Sequence, residues 1–399
     1  MNSDLQKRVF GTIGAGIAGL SASILVAKLG MRTHIFEKRS NEEVGGVGIQ
    51  LTPNALRSLV PLNVLDDLIS ESYTPERLIV NDAHLSGEVS SLKLKDIMNK
   101  KFGFPYLTSS RSLLHKILLT RASRDPLIEI SFNSNIVSIN DNDDVICKSS
   151  NGKSFSFKNV LICNGIKNTL INDHSIKRHA SPASWVLRTC LSGKDLPNNV
   201  LKNINLWMGK RFHVVSYPIN KKLDINVVLV KRSSIPHMVM KEPNNDLSHL
   251  RSLNIENKNL IYLLSNVRTW SVWPLYQTKI IKRAKTIYSQ NTLCLGDAGH
   301  PLYPHLAQGA ALALEDSYTL YKLLYKYSDD NFNISEVFEK FAKFRIHRYQ
   351  RMQIESRLNG IVFQQQGILR LMRNLFIKNY GSSLLEKNWI YENKSISHI

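Results

Sequence analysis

Three glycines between two short apolar segments restrict the fold of this chain more than any other feature of its sequence. Residues 8–13 have the composition of a short buried strand, and a helical pattern of apolar residues follows to about Leu29. Gly30 ends that helix, and residues 33–36 resemble a second strand. The order strand, helix, strand predicts a βαβ unit and therefore a parallel sheet.

The spacing of the glycines indicates what this unit binds. Gly14 permits a tight turn, Gly16 lets the backbone approach a pyrophosphate, and Gly19 allows close packing of helix on strand. Glu37 ends the second strand, where a carboxylate can accept hydrogen bonds from the hydroxyls of an adenosine ribose. A Gly-rich turn without a ligand is the structural alternative. Because strand, helix, second strand and terminal acid all occur, the segment predicts a dinucleotide site.

A second strand-to-helix segment lies late in the chain, at residues 293–316. Its apolar start predicts a strand that ends at Gly296 and Asp297, and its Ala-rich end predicts a helix. Asp297 can accept hydrogen bonds from ligand hydroxyls. The free N–H groups near Gln308, Gly309 and Ala310 favour an electron-rich or anionic group in front of that helix. Taken alone, this segment is equally typical of a turn that binds nothing.

Between these segments the pattern changes from alternating strands and helices to strands. A buried strand ends at Cys163 and meets Asn164-Gly165, and residues 77–96 suggest a hairpin around Ser86-Gly87. An antiparallel sheet is expected from the runs at 184–190, 204–209, 212–219 and 223–230. Helices are expected within 243–262, at 311–327 and over about 333–378.

These changes predict one discontinuous domain and two further units. The dinucleotide-binding domain comprises residues 1–72, 101–175 and 285–330, a β-sheet substrate domain comprises 73–100 and 176–284, and a C-terminal helical region comprises 331–399. In the last region Val362, Leu369, Met372 and Phe376 recur at helical spacing. Such an apolar face packs on the protein or on a second subunit, and contact with a membrane surface is the alternative.

Composition and charge exclude several classes of protein. The chain has 399 residues, 43% of them hydrophobic, and a formal net charge of +20. That charge favours anionic partners, but the basic residues form no block interleaved with aromatics, which argues against nucleic-acid binding. No apolar run reaches the roughly 18 residues that span a bilayer, so a cytoplasmic protein is expected.

Signatures of other chemistries are missing from the sequence. The Gly-Lys-Ser/Thr ending of a nucleoside-triphosphate loop and the Gly-x-Ser-x-Gly elbow of a hydrolase do not occur. Cys147, Cys163, Cys190 and Cys294 have no CxxC spacing, so we expect reduced thiols and no metal site.

The combination of motifs resembles the class A FAD-dependent aromatic monooxygenases, which include salicylate and hydroxybenzoate hydroxylases. The resemblance extends from Arg8 to the Asn388-Trp389-Ile390-Tyr391 ending, and the late segment with His300-Pro301 and Ala307-Gln308-Gly309-Ala310 is its most specific part. Further matches occur at residues 48–55, at Arg111 with Leu114, at 206–209 and at Tyr217-Pro218. The implied fold is a Rossmann-like FAD-binding domain with an inserted antiparallel substrate domain and C-terminal helices.

The resemblance implies roles for individual residues. Gly14, Gly16 and Gly19 bind the FAD pyrophosphate, Glu37 binds the adenosine ribose, Arg111 the ribityl–isoalloxazine side and Asp297 the ribityl hydroxyls. The helix start at Gln308, Gly309 and Ala310 faces the flavin pyrimidine ring, where its partial positive charge stabilises reduced flavin. The remaining cofactor contacts are assigned to Gln50, Asn164 and Pro301.

The implied reaction is hydroxylation of an aromatic phenolic or benzoate-type substrate. NAD(P)H reduces FAD, O₂ adds to form a C4a-hydroperoxyflavin, and the distal oxygen is transferred to the ring. His213 is the candidate to accept or orient the phenolic proton, because imidazole titrates near neutrality. Tyr217 and His305 are expected to line the same cavity. A monomer or homodimer is expected.

Two positions depart from the family pattern. Asn164-Gly165 stands where the family has Asp-Gly, so the amide keeps hydrogen-bonding capacity without the charge. Leu187-Arg188 stands where many relatives have Trp-Arg. Two alternatives stay open at this point. One is a ubiquinone-pathway-type flavin hydroxylase with peripheral membrane contact through the basic C-terminal helices, and the other is a non-catalytic flavin-binding protein.

Overall fold

The computed structural model describes residues 9–40, 47–166, 168–170, 184–194, 196–232, 253–275, 279–327 and 333–392. Its strands are β1 Val9–Ile13, β2 Arg32–Phe36, β3 Gly48–Leu51, β4 Arg77–Asp82, β5 Glu88–Lys93, β6 Leu107–Ser110, β7 Ile128–Ser131, β8 Ile136–Asp141, β9 Val145–Ser149, β10 Ser154–Phe157, β11 Asn159–Ile162, β12 Ser184–Leu191, β13 Ile204–Gly209, β14 Phe212–Pro218, β15 Ile225–Arg232, β16 Ser271–Leu275 and β17 Thr292–Cys294. Its α-helices are α1 Ile17–Lys28, α2 Pro53–Leu59, α3 Leu65–Glu71, α4 Leu94–Phe102, α5 Arg111–Ser123, α6 Asn198–Leu201, α7 Lys258–Ser265, α8 Gly309–Lys326, α9 Ile334–Phe363, α10 Gly367–Leu385 and α11 Asn388–Tyr391.

A five-stranded parallel sheet carries the βαβ unit predicted at the start of the chain. Its strand order is β17-β11-β1-β2-β7, so β1 is central, and its neighbours β11 and β17 come from much later in the sequence. Helix α1 packs between this sheet and α8, and Ser21 hydrogen-bonds Ser317 on α8 at 2.7 Å. Every residue of α1 from Ile17 to Ala27 is buried. The carboxyl ends of three parallel strands thus meet at one edge, where α/β sheets bind ligands.

A seven-stranded mixed sheet forms the second layer of the molecule. Its order is β16-β12-β15-β14-β13-β4-β5, antiparallel except for the parallel β13–β4 pair. The predicted hairpin at Ser86-Gly87 is confirmed, and Gly87 has a φ of +86° that favours glycine. The strands expected from 184 to 230 are also confirmed, within two residues at each end.

Side-chain alternation along β14 explains why one face of this sheet packs on a hydrophobic core and the other lines a cavity. Phe212 and Val214 point to a core that includes Trp207 and helix α7. His213, Val215 and Tyr217 point the opposite way and line a cavity. Because successive strand residues face opposite sides, one face builds a core while the other builds a site.

The helical predictions need two corrections. The expected helix within 243–262 begins at Lys258 and continues to Ser265, while positions 243–252 fall outside the described residues. The stretch expected to be helical over 333–378 is two helices, α9 and α10, separated at Gln364–Gln366. Gly367 has a φ of +58°, a left-handed conformation that interrupts an α-helix. Among the described residues, no helix is long and apolar enough to cross a membrane.

Candidate active site

Two adjoining cavities lie at the carboxyl edge of the parallel sheet. Their volumes are about 420 Å³ and about 320 Å³. Gly16, Arg111, Cys163 and Gly165 line both, so the cavities meet at the loop after β1 and the loop after β11. The larger cavity extends to the seven-stranded sheet, and the smaller one extends to Glu37 at the end of β2. Together they form an elongated site across the topological switch point.

The three glycines of the first loop differ in what surrounds them. Gly14 has a φ of +105°, and a Cβ there would lie 2.6 Å from the Cys163 carbonyl oxygen. A Cβ on Gly19 would lie 1.9 Å from the Gly14 carbonyl oxygen, so α1 approaches the loop too closely for any side chain. A Cβ on Gly16 would meet nothing within 4 Å. Gly14 and Gly19 serve the fold, whereas Gly16 faces open space that a ligand can enter.

Glu37 is tied to the glycine loop by its side chain. Its Oε2 accepts a hydrogen bond from the Ala15 N–H at 2.8 Å, and its Oε1 accepts one from the Arg39 N–H at 3.0 Å. Glu37 lines the smaller cavity together with Arg39 and Asn135. A carboxylate offers about four acceptor positions, so two backbone bonds leave capacity for ligand hydroxyls.

The late segment supplies the opposite wall of the larger cavity. Asp297 is open to that cavity. Desolvation by the surrounding protein raises the pKa of its carboxyl, and the nearby His300 and Arg111 only partly offset this rise. Gly309 begins α8, and Gln308 precedes the helix without a side-chain cap. The first N–H groups of α8 therefore lack partners of their own and face the cavity.

Gln308 contributes to this wall through its backbone only. Its Nε2 donates to the Thr52 hydroxyl at 3.1 Å and its Oε1 accepts from Asn54 Nδ2 at 3.1 Å. The side chain is buried. The side chain fastens α8 to the start of α2. The cofactor contact expected from the N–H groups of this helix start stays a prediction.

A buried charge network supports the loop that carries Asp297. Asp316 on α8 accepts hydrogen bonds from the Gly296 N–H at 3.0 Å, from Arg345 Nε at 3.0 Å and from the Tyr349 hydroxyl at 2.6 Å, and it also bonds His300. Burial raises the pKa of Asp316, but His300 and Arg345 outweigh it and hold the pKa below its usual value. Asp316 was not among the predicted site residues, although a carboxylate inside an apolar helix indicates a buried partner.

Three candidates named from the sequence meet in the wall formed by β14 and the loop before α8. The ring centroids of His213 and His305 lie 5.0 Å apart. Tyr217, four residues after His213 on β14, faces the same side of the strand and lines the same cavity. Burial lowers the pKa of His305 to about 4, and burial together with His305 lowers that of His213 well below its usual value. Both imidazoles are therefore neutral at pH 7.

Gln364 determines which ring nitrogen of His213 carries the proton. Gln364 Nε2 lies 3.2 Å from His213 Nδ1, and an amide nitrogen is a donor, so Nδ1 accepts. A neutral imidazole then holds its proton on Nε2. The nitrogen left for a ligand is a hydrogen-bond donor. The lowered pKa argues against titration of His213 near neutrality. Of the two expected roles, accepting or orienting the phenolic proton, a neutral imidazole favours orientation.

Arg188 is a cavity residue whose importance the sequence analysis did not recognise. It lies on β12 and lines the larger cavity, and its Nε is buried without a hydrogen-bond partner in the described part of the chain. Burial lowers the pKa of its guanidinium, Tyr217 raises it, and the Arg111 cation lowers it. Nearby, Gln50 accepts a hydrogen bond from the Tyr106 hydroxyl at 2.6 Å. Within the described ranges, no carboxylate pairs with this cation in the cavity wall.

Not every expected residue reaches the cavities. Pro301 lines neither of them, and its carbonyl accepts a hydrogen bond from Gln353 Nε2 at 3.0 Å, so its expected cofactor contact stays a prediction. Asn164 lines the smaller cavity. The first part of the Gly-rich loop before β3, at Gly45 and Gly46, lies outside the described residues.

Comparison with known proteins decides what this site is. Residues 8–330 match the family model described as FAD binding domain. This chain belongs to that family. It is 26% identical over 367 residues to 3-hydroxybenzoate 6-hydroxylase of Polaromonas naphthalenivorans (strain CJ2), covering 90% of this chain and 89% of the relative. The chain is therefore a class A FAD-dependent aromatic monooxygenase.

Solved structures show the same fold. Klebsiella pneumoniae HpxO complexed with FAD and uric acid superposes with a TM-score of 0.83 at 16% identity, covering 99% of each chain. A salicylate hydroxylase substrate complex superposes with a TM-score of 0.78 at 18% identity, covering 98% of this chain and 97% of that chain. The predicted fold class is thereby confirmed, with a Rossmann-like domain, an antiparallel sheet and C-terminal helices.

The residues of this monooxygenase fit FAD, its cofactor. Gly16 leaves space that a Cβ would fill, and the Asn164 Oδ1 is buried without a hydrogen-bond partner in the described ranges. Its Nδ2 donates to Asn168 Oδ1 at 3.1 Å, which leaves the oxygen to accept from a ligand hydroxyl. The replacement of the family's aspartate by Asn164 therefore removes a charge but keeps an acceptor at the cavity.

Proposed function

We propose that this monooxygenase hydroxylates a phenolic aromatic acid, using NAD(P)H and O₂. The observation that carries the proposal is Arg188, a cation in the cavity wall whose Nε has no protein partner in the described part of the chain. A partly buried cation favours an anionic ligand, because no carboxylate among the described residues pairs with it. A substrate carboxylate is the matching group. The relative named above is a hydroxylase of 3-hydroxybenzoate, which carries both a carboxylate and a phenol.

The overall reaction balances with one reductant and one oxygen molecule. The aromatic C–H, NAD(P)H, one proton and O₂ give the aromatic C–OH, NAD(P)⁺ and water. Bound FAD supplies the redox chemistry, taking electrons from NAD(P)H and activating O₂. The chain's own residues bind and orient the substrate, exclude water and set the protonation of the phenol.

The two ends of the substrate are assigned to two strands. Arg188 on β12 binds the carboxylate through its guanidinium, and His213 on β14 donates from Nε2 to the phenolic oxygen. A hydrogen-bond donor at that oxygen stabilises the phenolate, and the phenolate is more electron-rich than the phenol. His305 is neutral at pH 7 and stands beside His213, so it adds no competing positive charge.

The cofactor-binding groups are assigned along the two cavities. Glu37 takes the adenosine ribose, Gly16 borders the pyrophosphate, and Asp297 takes the ribityl hydroxyls. The first N–H groups of α8, at Gly309 and Ala310, face the redox ring. Their partial positive charge favours the anionic form of the reduced cofactor, which lowers the free energy of the reductive step.

A substrate panel with purified holoenzyme tests the proposal. NAD(P)H oxidation and hydroxylated product are measured with 3-hydroxybenzoate, salicylate and the matching phenols that lack the carboxylate. The acids are expected to be turned over with a kcat/KM at least about a hundredfold above that of the neutral phenols, the equivalent of roughly 3 kcal/mol for a charge-assisted pair.

Arg188→Gln is the decisive variant. It should raise KM for the acids and leave that for neutral phenols unchanged, whereas the exposed Lys148→Gln on β9 serves as a control outside the site. Equal use of acids and neutral phenols by the unmodified enzyme would refute the carboxylate assignment.

A further inference from the structure

The outward face of α10 carries a cluster of exposed apolar side chains. Its side chains are between 54% and 73% exposed at Ile368, Leu371, Met372, Leu375 and Phe376. These positions recur every three or four residues, so they share one face of the helix. We call these five residues the apolar face of α10.

The opposite face of α10 holds the helix in place against the protein. Arg373 donates to Asp82 on β4 at 2.8 Å, and Asn374 donates to the same carboxylate at 2.7 Å. A Cβ on Gly381 would lie 2.2 Å from the Ser90 hydroxyl on β5, so the two elements are in close contact. The apolar face is therefore fixed outward and cannot turn to bury itself on its own protein.

A basic cavity begins at the first turn of the same helix. It has a volume of about 350 Å³, and its lining includes Gly367 and Arg370 of α10. Its other charged residues come from the β13–β14 turn, the end of β15 and the segment before α7. They are Lys210, Arg211, Lys231, Arg232 and one carboxylate, Glu256. We call this the basic pocket.

Most of the cations in the basic pocket lack acidic partners. In the described part of the chain Lys210, Arg211, Lys231 and Arg232 form no ion pair, whereas Arg370 pairs with Asp82 at 3.0 Å. Along residues 354–384, Glu355 is the one acidic residue, and Lys387 neutralises it at 3.2 Å. The apolar face is thus bordered by positive charge that the described protein does not balance.

We propose that the apolar face of α10 and the basic pocket together dock on an anionic phospholipid bilayer. The apolar side chains enter the headgroup boundary, as those of an amphipathic helix lying in the membrane plane do. The pocket binds lipid phosphates, because a negative surface attracts each nearby Lys or Arg. This contact is peripheral and independent of which substrate the enzyme hydroxylates.

Charge distinguishes a bilayer from a second copy of the chain. A twofold interface through the apolar face would use the same patch on both subunits, so two basic pockets would border one interface. The chain already carries a net charge of +20. Like charges brought together oppose association, whereas an anionic bilayer neutralises them.

Vesicle cosedimentation of the full-length holoenzyme tests the docking surface. The enzyme should sediment with phosphatidylcholine vesicles that contain phosphatidylglycerol, remain in the supernatant with pure phosphatidylcholine, and be released as salt screens the charges. Leu375→Ser with Phe376→Ser, and separately Lys231→Glu with Arg232→Glu, should each lower the partition coefficient at least about tenfold.

Matched controls come from the small β8–β9–β10 sheet. Val137→Ser with Ile146→Ser removes exposed apolar groups there, and Lys148→Glu with Lys153→Glu makes the same charge change. Both controls should bind vesicles as the unmodified enzyme does, and retained FAD absorbance shows that each variant is folded.

Three results would overturn the proposal. The unmodified enzyme would stay in the supernatant with anionic vesicles, or the docking variants would bind as well as the controls. In the third case, sedimentation velocity would show a dimer that Leu375→Ser with Phe376→Ser dissociates while vesicle binding is unchanged. That outcome assigns the apolar face to a second copy.

Discussion

The Asp316 carboxylate and the Arg345 guanidinium meet at 2.9 Å, and neither side chain is accessible to solvent. Arg345 also pairs with Glu315 at 2.9 Å, so one cation on α9 holds two neighbouring carboxylates of α8. Because Asp316 in turn accepts the Gly296 N–H, the pair fixes the loop that places Asp297 in the wall of the larger cavity. Arg345 therefore supports the site from behind, because its own side chain does not line the cavity.

Removal of the Arg345 charge should destabilise the whole protein. Arg345→Met removes the cation from the buried Asp316 and from Glu315, which keeps its second pair with Arg348. Breaking such a buried pair from one side costs about 3–5 kcal/mol. Urea unfolding monitored by circular dichroism measures the loss. Lys343→Met is the matched control on the same helix, because Lys343 forms only an exposed pair with Glu339, and it should change the unfolding free energy by less than about 1 kcal/mol.

Two glycines of the first loop should respond differently to alanine. Gly16→Ala meets no protein atom within 4 Å, so the apoprotein should keep its melting temperature while FAD is lost, because the methyl group occupies the cofactor's space. Gly19→Ala places a Cβ 1.9 Å from the Gly14 carbonyl and should prevent α1 from packing. Thermal unfolding of the apoproteins and flavin titration separate the two effects. Tight FAD binding by Gly16→Ala would contradict the assigned position of the pyrophosphate.

Protonation of His305 should make stability depend on pH. Burial lowers its pKa to about 4 in the folded chain, against about 6.5 when unfolded. Between these values the unfolded state binds the proton and the folded state does not. His305 therefore destabilises the fold as pH falls from 6.5 to 4, by up to about 1.4 kcal/mol per pH unit. His305→Gln should reduce that slope in urea unfolding of the apoprotein, and an unchanged slope would show that His305 is not buried as described.

Loss of the hydrogen bond from His213 should move the pH dependence of hydroxylation. In His213→Ala the substrate phenolate lacks its donor, so kcat/KM should rise only as pH approaches the phenol's own pKa, about 10. The unmodified enzyme should reach its plateau at lower pH. His347→Ala, at an exposed position on α9, is the control. Identical pH profiles for His213→Ala and the unmodified enzyme would exclude the role.

Local features were predictable from the sequence, because they depend on a few neighbouring residues. The βαβ unit with Gly14, Gly16 and Gly19 depends on backbone conformation and spacing. Gly87 in its hairpin followed from the same kind of rule. The family resemblance then supplied the positions of segments that lie far apart.

Long-range pairing was not predictable, and it decides the chemistry of the site. Whether Arg188 or its neighbour faces the cavity depends on how β12 pairs with β15 and β16. The tautomer of His213 depends on Gln364, which lies beyond the end of α9. The partner of Asp316 is 29 residues away on another helix. No periodic pattern in the sequence predicts these contacts.

The strand order of the parallel sheet has a consequence for how the enzyme matures. Strand β1 is made first, yet the edge strand β17 is Thr292–Cys294, so the FAD cradle joins segments synthesised far apart in time. Contacts of such sequence separation form late in folding because loop closure must precede them. A nascent chain or a C-terminally clipped fragment thus exposes the glycine loop without Asp297 opposite it. We therefore expect FAD to bind only after β17 has paired with β11, so that flavin absorbance reports this late step of folding.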